Sequence, residues 1–227
     1  MKVGVNGAVR DISDLKVGAN GAVRAVSEAY IGVNGAVKKV WPTFPVGTVI
    51  VLDTVGSGSW ECPASGSWNL EIHGGGGGGG YSFANYMGGF TGGGGGGSGS
   101  QTTVNLIKGG KYDYTIGAGG QPGNDGQRTS FSSLFSVSGG GGGYYGDPPY
   151  SGGNGGGASG ELATAGGDGR AFPEFPIPGG VGGYGNKNKP SQSYGNGGNG
   201  ATLNSELYSQ VAGSPGNNGA IILTYLG

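Results

Sequence analysis

The sequence predicts an all-β protein in which a glycine-rich domain follows a short repeat module. Three observations predict this class. Seven consecutive glycines occupy 74–80 and six more occupy 92–97, between segments typical of β-strands. Asn-Gly pairs recur every 14 residues near the N-terminus. No segment has a convincing helical pattern of apolar residues.

The composition taken alone favours disorder. The 227 residues include 61 glycines and 11 prolines, and such a level without a strict period usually indicates low complexity. Disordered glycine linkers lack aromatic residues, however, and this chain has 12 Tyr, 7 Phe and 3 Trp. Because little side-chain mass is available for a core, we expect backbone hydrogen bonds to hold much of the fold.

The N-terminal module contains three similar sequence repeats: KVGVNGAVR at 2–10, KVGANGAVR at 16–24 and IGVNGAVK at 31–38. Asn-Gly between apolar β-formers is a strong hairpin signal, because both turn residues need positive φ. Three small hairpins over 1–41 carry little apolar area and are marginal alone. They either dock the chain on a larger assembly or form a self-contained cap, and we favour docking. The docking candidates are Val5, Asn6, Gly7, Asn20, Gly21, Asn34 and Gly35.

The glycine-rich β domain is predicted over 48–227, after a linker at 42–47 that contains two prolines. A first strand is expected at 48–52, followed by a Gly/Ser turn at 56–59. The segments 102–107 and 111–116 predict a hairpin joined by Lys-Gly-Gly. The last strand, 220–225, has four consecutive apolar residues and is expected to be more fully buried.

Segment 67–73 alternates apolar and polar residues, as a strand with one buried face does. Its apolar face would hold Trp68, Leu70 and Ile72, and its polar face Asn69, Glu71 and His73.

The glycine runs predict ordered layers of polyproline-II-like helices, which have ~3 residues per turn and rise ~3.1 Å per residue. A seven-glycine run would then span about 22 Å. Ordering each glycine costs roughly 0.5–1 kcal/mol more than ordering alanine, so bonds of about 1 kcal/mol between neighbouring helices must compensate. The predicted fold is a glycine-rich β-sandwich with polyglycine-II-like layers.

Aromatic residues are concentrated between the glycine runs. A rigid scaffold that presents aromatic loops is typical of binding proteins, although the same side chains could instead cover the scaffold or seal a subunit interface. The binding candidates are Tyr81, Phe83, Tyr86, Phe90, Tyr144, Tyr145, Tyr150, Tyr184 and Tyr194.

The segment WECPASGSWNLEIH at 60–73, followed by the glycine run, resembles the opening of glycine-rich domains in bacteriophage tail and tail-fibre proteins. That family continues with a hairpin ending in IGAGG, here at 116–120, a serine-rich segment, here at 129–138, and a final hydrophobic strand, here at 220–225. The N-terminal phrases resemble short repeats in minor structural proteins of phages and prophages.

The resemblance implies a virion protein of the tail tip or tail fibre, made in the host cytoplasm. Its loops would bind a host cell-surface polysaccharide or protein, and residues 1–41 would bind other phage structural proteins. Related adhesins form polyglycine-helix sandwiches whose tips bind the host. Spacers such as 158–178 are longer and more irregular here, which predicts a mixed β-sandwich.

Two alternatives to an adhesin stay open. The chain can be a purely structural virion component, such as a fibre anchor, baseplate or head decoration protein, without receptor binding. It can also be a surface-active, ice-binding or fibrous glycine protein, although the irregular spacers argue against flat repeated faces. Exposed sheet edges and thin cores predict a homo-oligomer, and the threefold symmetry common in tail fibres favours a trimer.

Enzymatic chemistry is not expected, because His73 is the sole histidine and Cys62 the sole cysteine. No catalytic residue, cofactor or metal site is predicted. The carboxylates Asp53, Glu61 and Glu71 are scattered, and Asp125 is typical of a turn. A net charge of −1 with 11% charged residues predicts no nucleic-acid partner, and the lack of a long apolar run predicts no membrane insertion.

Overall fold

A computed structural model describes residues 44–83, 94–143, 162–164, 181–189, 191–201 and 210–227, together with the backbone of six strands between residues 2 and 41. Ser82, Phe83 and Gln210 are described in their backbone only. The chain divides into two units, residues 1–46 and 47–227.

The N-terminal unit contains six strands that pair two by two in antiparallel fashion: β1 Lys2–Val5 with β2 Ala8–Asp11, β3 Lys16–Ala19 with β4 Ala22–Ala25, and β5 Ala29–Val33 with β6 Ala36–Trp41. In each pair the residues on either side of an Asn-Gly position are partners, as in Val5 with Ala8. Among the described strands, no pair bonds to another pair.

The described residues of the second unit contain ten strands: β7 Val49–Leu52, β8 Gly56–Glu61, β9 Gly66–His73, β10 Ser82–Phe83, β11 Gly99–Leu106, β12 Lys111–Ile116, β13 Thr129–Phe131, β14 Phe135–Val137, β15 Gln210–Val211 and β16 Ala220–Tyr225. The first sheet has the order β11-β9-β16-β7 and the second has the order β14-β13-β12-β8, and all pairings are antiparallel. β10 and β15 form a separate short pair. The all-β class is confirmed for the described residues, which contain no helix.

An aromatic contact joins the two sheets. Trp68 of the first sheet is fully buried and meets Trp60 of the second edge to face, with ring centroids 5.6 Å apart. Phe131, also fully buried, stacks on Tyr112 at 5.6 Å. Aromatic pairs in these arrangements add about 0.5–1.5 kcal/mol beyond the area they bury. The core therefore lies between the sheets, with aliphatic residues of β9 and β16 around the rings.

The predicted hairpin over 102–116 is wrong. β11 pairs with β9 along its whole length, whereas β12 pairs with β8 and β13 in the other sheet. Residues 107–110 reverse the chain, with Gly109 at φ 76°, but they carry it from one sheet to the other. A turn motif fixes the local reversal only, and the partner of each strand is set by packing with segments distant in sequence.

The predicted turn at 56–59 is also wrong, because these residues lie in β8. Gly58 is the cross-strand partner of Tyr114, and a Cβ at Gly58 would come within 2.6 Å of that ring. The glycine therefore makes room for an aromatic side chain that lies across the strand.

Strand β9 is buried on both faces. Trp68, Leu70 and Ile72 face the core as predicted, but the opposite face is also covered at Glu71, which is 3% exposed, and at His73, which is fully buried. The expectation of a solvated polar face is therefore wrong at these two positions. Hydrogen bonds to residues in 185–192 explain the burial and are described below.

The run Gly74–Gly80 continues from β9, and its N–H groups donate hydrogen bonds of 2.8–2.9 Å to three segments in rotation. The acceptors, from Gly74 to Gly79 in order, are the carbonyls of Ser98, Gln127, Asn217, Gly95, Asn124 and Ser214. Glycines three positions apart in the run bond to the same segment, and the acceptor in that segment then lies three residues earlier in the sequence. These three neighbours are antiparallel to the run.

The carbonyl groups of the run accept from three other segments in the same rotation. The donors, from Gly75 to Gly80 in order, are the N–H groups of Gly140, Gly120, Gly198, Gly143, Gly123 and Ala201. Here the partner number rises by three, so these neighbours are parallel to the run. We call the run and its six neighbours, 95–98, 120–123, 124–127, 140–143, 198–201 and 214–217, the glycine bundle. Its period of three differs from the 2.0 of a strand and the 3.6 of an α-helix.

No side chain fits inside the glycine bundle. A Cβ on Gly77 would overlap the carbonyl oxygen of Gly141, and a Cβ on Gly75 would overlap that of Ala118. These obstacles are backbone atoms bonded elsewhere, so relief requires neighbouring segments to separate. Glycine at these positions is thus demanded by close approach of the main chains.

We therefore expect Gly77→Ala to lower the free energy of unfolding by more than about 3 kcal/mol, because the methyl group breaks bonds on several sides. Gly109→Ala is the matched control: nothing lies within 4 Å of its Cβ position, and its φ of 76° costs alanine about 1–2 kcal/mol. Urea unfolding of both variants tests the difference. Equal losses would contradict close packing around Gly77.

Candidate functional site

Several described segments begin or end at the Gly80 end of the glycine bundle. Gly143 donates to Gly78 and Ala201 donates to Gly80, so both segments leave the described region at this end. β10 pairs with β15 just beyond Gly80. Gly183 donates to Gly94, which begins the returning segment. Each of four segments outside the described residues therefore has a flank here: 84–93, 144–161, 165–180 and 202–209.

The chain enters this unit at the opposite end. The N–H of Gly47 donates to the carbonyl of Tyr225 at 2.8 Å, and Tyr225 pairs with Trp68 on β9. The other end of β9 is His73, from which the glycine run departs. The point where the chain enters the unit and the flanks of the four segments thus lie at opposite ends of the stretch that β9 and the glycine run form.

The predicted binding residues with described side chains differ in their surroundings. The half-buried ring of Tyr81 lies against the backbone of Gly123 at the Gly80 end, which is a covering contact. Tyr184 is 44% exposed. The hydroxyl of Tyr194 donates to Asp53 Oδ2 at 3.0 Å, beside the first sheet.

The remaining predicted residues give less information. Phe83 lies in β10 and is described in its backbone only, and Tyr86, Phe90, Tyr144, Tyr145 and Tyr150 lie outside the described residues. Of the docking candidates, Val5 ends β1, whereas Asn6, Gly7, Asn20, Gly21, Asn34 and Gly35 lie outside the described residues.

A cleft of about 260 Å³ surrounds the Tyr194 hydroxyl. It is lined by Asp53, Ser193, Tyr194, Asn217 and Asn218. Partial burial, reinforced by the Asp53 carboxylate, raises the pKa of Tyr194 above its usual range. The phenol therefore keeps its proton at neutral pH and acts as a donor to Asp53. We call these five residues the Tyr194 cleft.

A buried polar cluster lies on the outer face of β9, and the sequence analysis missed it. Glu71 Oε1 accepts from His73 Nε2 at 2.8 Å and from Asn186 Nδ2 at 2.9 Å, and Oε2 accepts from Lys189 Nζ at 2.8 Å. Gln192 Nε2 adds a longer contact of 3.3 Å to Oε1. Four donors therefore converge on one carboxylate, and three of them, Asn186, Lys189 and Gln192, bind the covering segment to the sheet.

His73 extends this cluster toward the glycine bundle. Its Nδ1 contacts the carbonyl oxygen of Gly185 at 3.2 Å, and its Nε2 contacts Glu71. The hydrogen bond from His73 is the largest cause of the lowered pKa of Glu71, which is about 2, and Lys189 also lowers it against the opposing effect of burial.

The cluster has the arrangement of a structural clamp. Every described polar side-chain atom that is buried has a hydrogen-bond partner, as the members of this cluster do. Cys62 is buried with its Sγ donating to the carbonyl of Ala64, and burial raises the pKa of its thiol, which is the opposite of thiolate activation. Among the described residues, no three His, Cys, Asp or Glu side chains are placed to hold a metal ion.

Comparison of the chain with protein-family models gave no match, and comparison with curated proteins gave none. In the part of the chain that the structure describes, no helix has the length and apolar character needed to span a membrane. The fold and the site thus define an all-β protein that carries a backbone-bonded glycine bundle.

The Glu71 clamp predicts a loss of stability in acid. The pKa of Glu71 is lowered from 4.5 when unfolded to about 2 when folded, so its stabilising effect is present above pH 4.5 and is lost as the pH falls toward 2. The loss should reach about 3 kcal/mol at most. Glu71→Gln should lower stability at pH 7 and flatten this part of the pH profile. The exposed Glu61→Gln serves as control, and an unchanged slope in Glu71→Gln would contradict the assignment.

Proposed function

We propose that the chain is a bacteriophage virion protein of the tail tip or tail fibre that binds a host receptor. The observation that carries the proposal is that the described flanks of four segments lie at the Gly80 end of the glycine bundle, opposite the point where the chain enters the unit. Those segments, 84–93, 144–161, 165–180 and 202–209, contain most of the aromatic residues outside the described strands. We propose that they present these residues as binding loops on a stiff support, which suits recognition of a cell surface.

We also propose that the glycine bundle is a hexagonal array of polyglycine-II-like helices. The support is the rotation of hydrogen bonds among six neighbours with a period of three, which equals the ~3 residues per turn of such helices. Three parallel and three antiparallel neighbours around one run use all the N–H groups of 74–79 and all the carbonyls of 75–80. Sheets at one end and the bundle at the other would make the mixed architecture expected from the sequence.

Attachment to the particle is assigned to residues 1–41. Each of the three strand pairs is a separate two-stranded sheet, and no other described strand pairs with its outer edges. An isolated two-stranded pair is marginally stable in water, and addition of a partner strand would stabilise it. Other virion proteins are the partners proposed here. We likewise propose that a second and a third copy of the chain complete open sheet edges, which would give a homotrimer.

Binding to intact host cells tests the receptor proposal. The fluorescently labelled full chain is expected to bind cells of the bacterium that its particle infects and to slow adsorption of that particle. Replacing Tyr144, Tyr145 and Tyr150 together by alanine should abolish cell binding without changing thermal unfolding. Tyr81→Ala should instead lower stability, because Tyr81 covers the Gly123 turn.

Incorporation into the particle is measured separately, with antibody labelling of purified particles. Deletion of residues 1–41 should prevent incorporation while cell binding by the isolated protein persists. A full chain that is incorporated into particles but never binds cells would contradict the receptor proposal and would support a purely structural virion role. A truncated chain that is still incorporated would contradict the docking proposal.

A further inference from the structure

The Tyr194 cleft collects polar groups from three separate parts of the chain. Asp53 follows β7, Ser193 and Tyr194 belong to the segment that covers the first sheet, and Asn217 and Asn218 precede β16. Backbone hydrogen bonds hold these parts in place: Gly195 donates to the carbonyl of Asn218 at 2.7 Å. The cleft is thus a built feature of the fold, and its shape does not depend on one loop.

Each side chain that shapes the cleft uses only part of its hydrogen-bonding capacity. Asp53 uses Oδ2 for the Tyr194 hydroxyl, Asn217 uses Nδ2 for the carbonyl of Ser193, and Asn218 uses Oδ1 for the N–H of Gly119. Within the described part of the chain, no group bonds to Asp53 Oδ1, Asn217 Oδ1 or Asn218 Nδ2. The cleft therefore offers two acceptors and one donor that are oriented by the bonds on their other atoms.

Size and charge narrow the class of ligand. A cleft of about 260 Å³ is smaller than the ~300–1,000 Å³ of sites for drug-sized molecules, so it suits a single ring. Its only ionised lining group is Asp53, which disfavours carboxylate or phosphate ligands. One carboxylate is also too few for a calcium site, which takes 6–8 oxygen ligands.

We infer that the Tyr194 cleft binds one neutral pyranose ring of a saccharide. Adjacent sugar hydroxyls each donate and accept a hydrogen bond, which matches the neighbouring acceptors and donor of the cleft. Tyr194 itself is half-buried and lines the cleft, where its hydroxyl is held by Asp53. The inference rests on the proposed function only in that the saccharide would belong to the host surface.

Saturation-transfer NMR on the full chain tests the inference, with methyl α-glucoside, methyl α-mannoside, methyl α-galactoside and methyl N-acetyl-β-glucosaminide as separate probes. At least one is expected to bind with a dissociation constant in the millimolar range, as is common for a single ring held by few groups. Methyl glucuronide should bind more weakly than methyl glucoside, because its carboxylate is repelled by Asp53.

Asp53→Asn and Tyr194→Phe should each weaken binding by at least tenfold. Asp113→Asn is the matched control, since Asp113 is an exposed carboxylate in a different polar groove, on the second sheet. As a second measurement, the side-chain amide signals of Asn217 and Asn218 should shift on addition of the bound glycoside.

Failure of all four neutral glycosides to bind would overturn the inference, and so would binding that Asp53→Asn and Tyr194→Phe leave unchanged. Cell binding is a separate measurement. If the chain binds cells while no glycoside binds, only this inference fails. If glycosides bind at the cleft while the chain neither binds cells nor is incorporated into particles, the proposed virion function fails and the saccharide site stands.

Discussion

The second unit depends on one exchange of hydrogen bonds, between the backbone of Gly74–Gly80 and six surrounding segments. Each N–H from 74 to 79 donates outward and each carbonyl from 75 to 80 accepts from outside, and none of these bonds lies within the run. A conventional core gains its free energy from apolar side chains, but this region has none to bury. Bonds of about 1 kcal/mol each, repeated in three directions, are the available compensation for ordering the chain.

This exchange dictates the sequence of the neighbours as well as that of the run. A segment beside the run must present glycine wherever it points inward, and at a period of three every third residue points inward. Glycines at 213, 216 and 219 follow this rule, and so does Gly126. A Cβ on Gly126 would overlap the backbone of Gly75, and one on Gly216 would overlap that of Gly76. The residues between 213 and 219 that do not face the run are Ser, Pro and Asn.

The all-β class and several strands could be predicted because they rest on local signals. The alternation in 67–73 identified the core face of β9, and the apolar run 220–225 identified a central strand. The pairing of β11 and β12 could not be predicted, since their Lys-Gly-Gly connection looks the same whether it joins partners or crosses between sheets. The glycine period at 213–219 is visible in the sequence, but it could not be interpreted without the central run that these glycines contact.

The candidate sites were predictable to a smaller extent, because they join residues far apart in sequence. Tyr194 was singled out as an aromatic residue, but its partner Asp53 lies 141 residues away. The alternation in 67–73 placed Glu71 and His73 on a solvated face, because no local feature indicates that Asn186 and Lys189 cover them. Burial of such a face requires a covering segment with matching donors, which only the folded chain brings into place.

Amide hydrogen exchange, resolved by NMR at neutral pH, measures directly whether neighbouring segments hold the backbone of the glycine run. We expect the N–H groups of 75–79 to exchange as slowly as those of the central strand β9, because the hydrogen bonds of both are broken only when the unit opens. Exchange of the glycine amides at the rate of an unstructured peptide, while β9 stays protected, would show that the run is not held by its neighbours and would contradict the account.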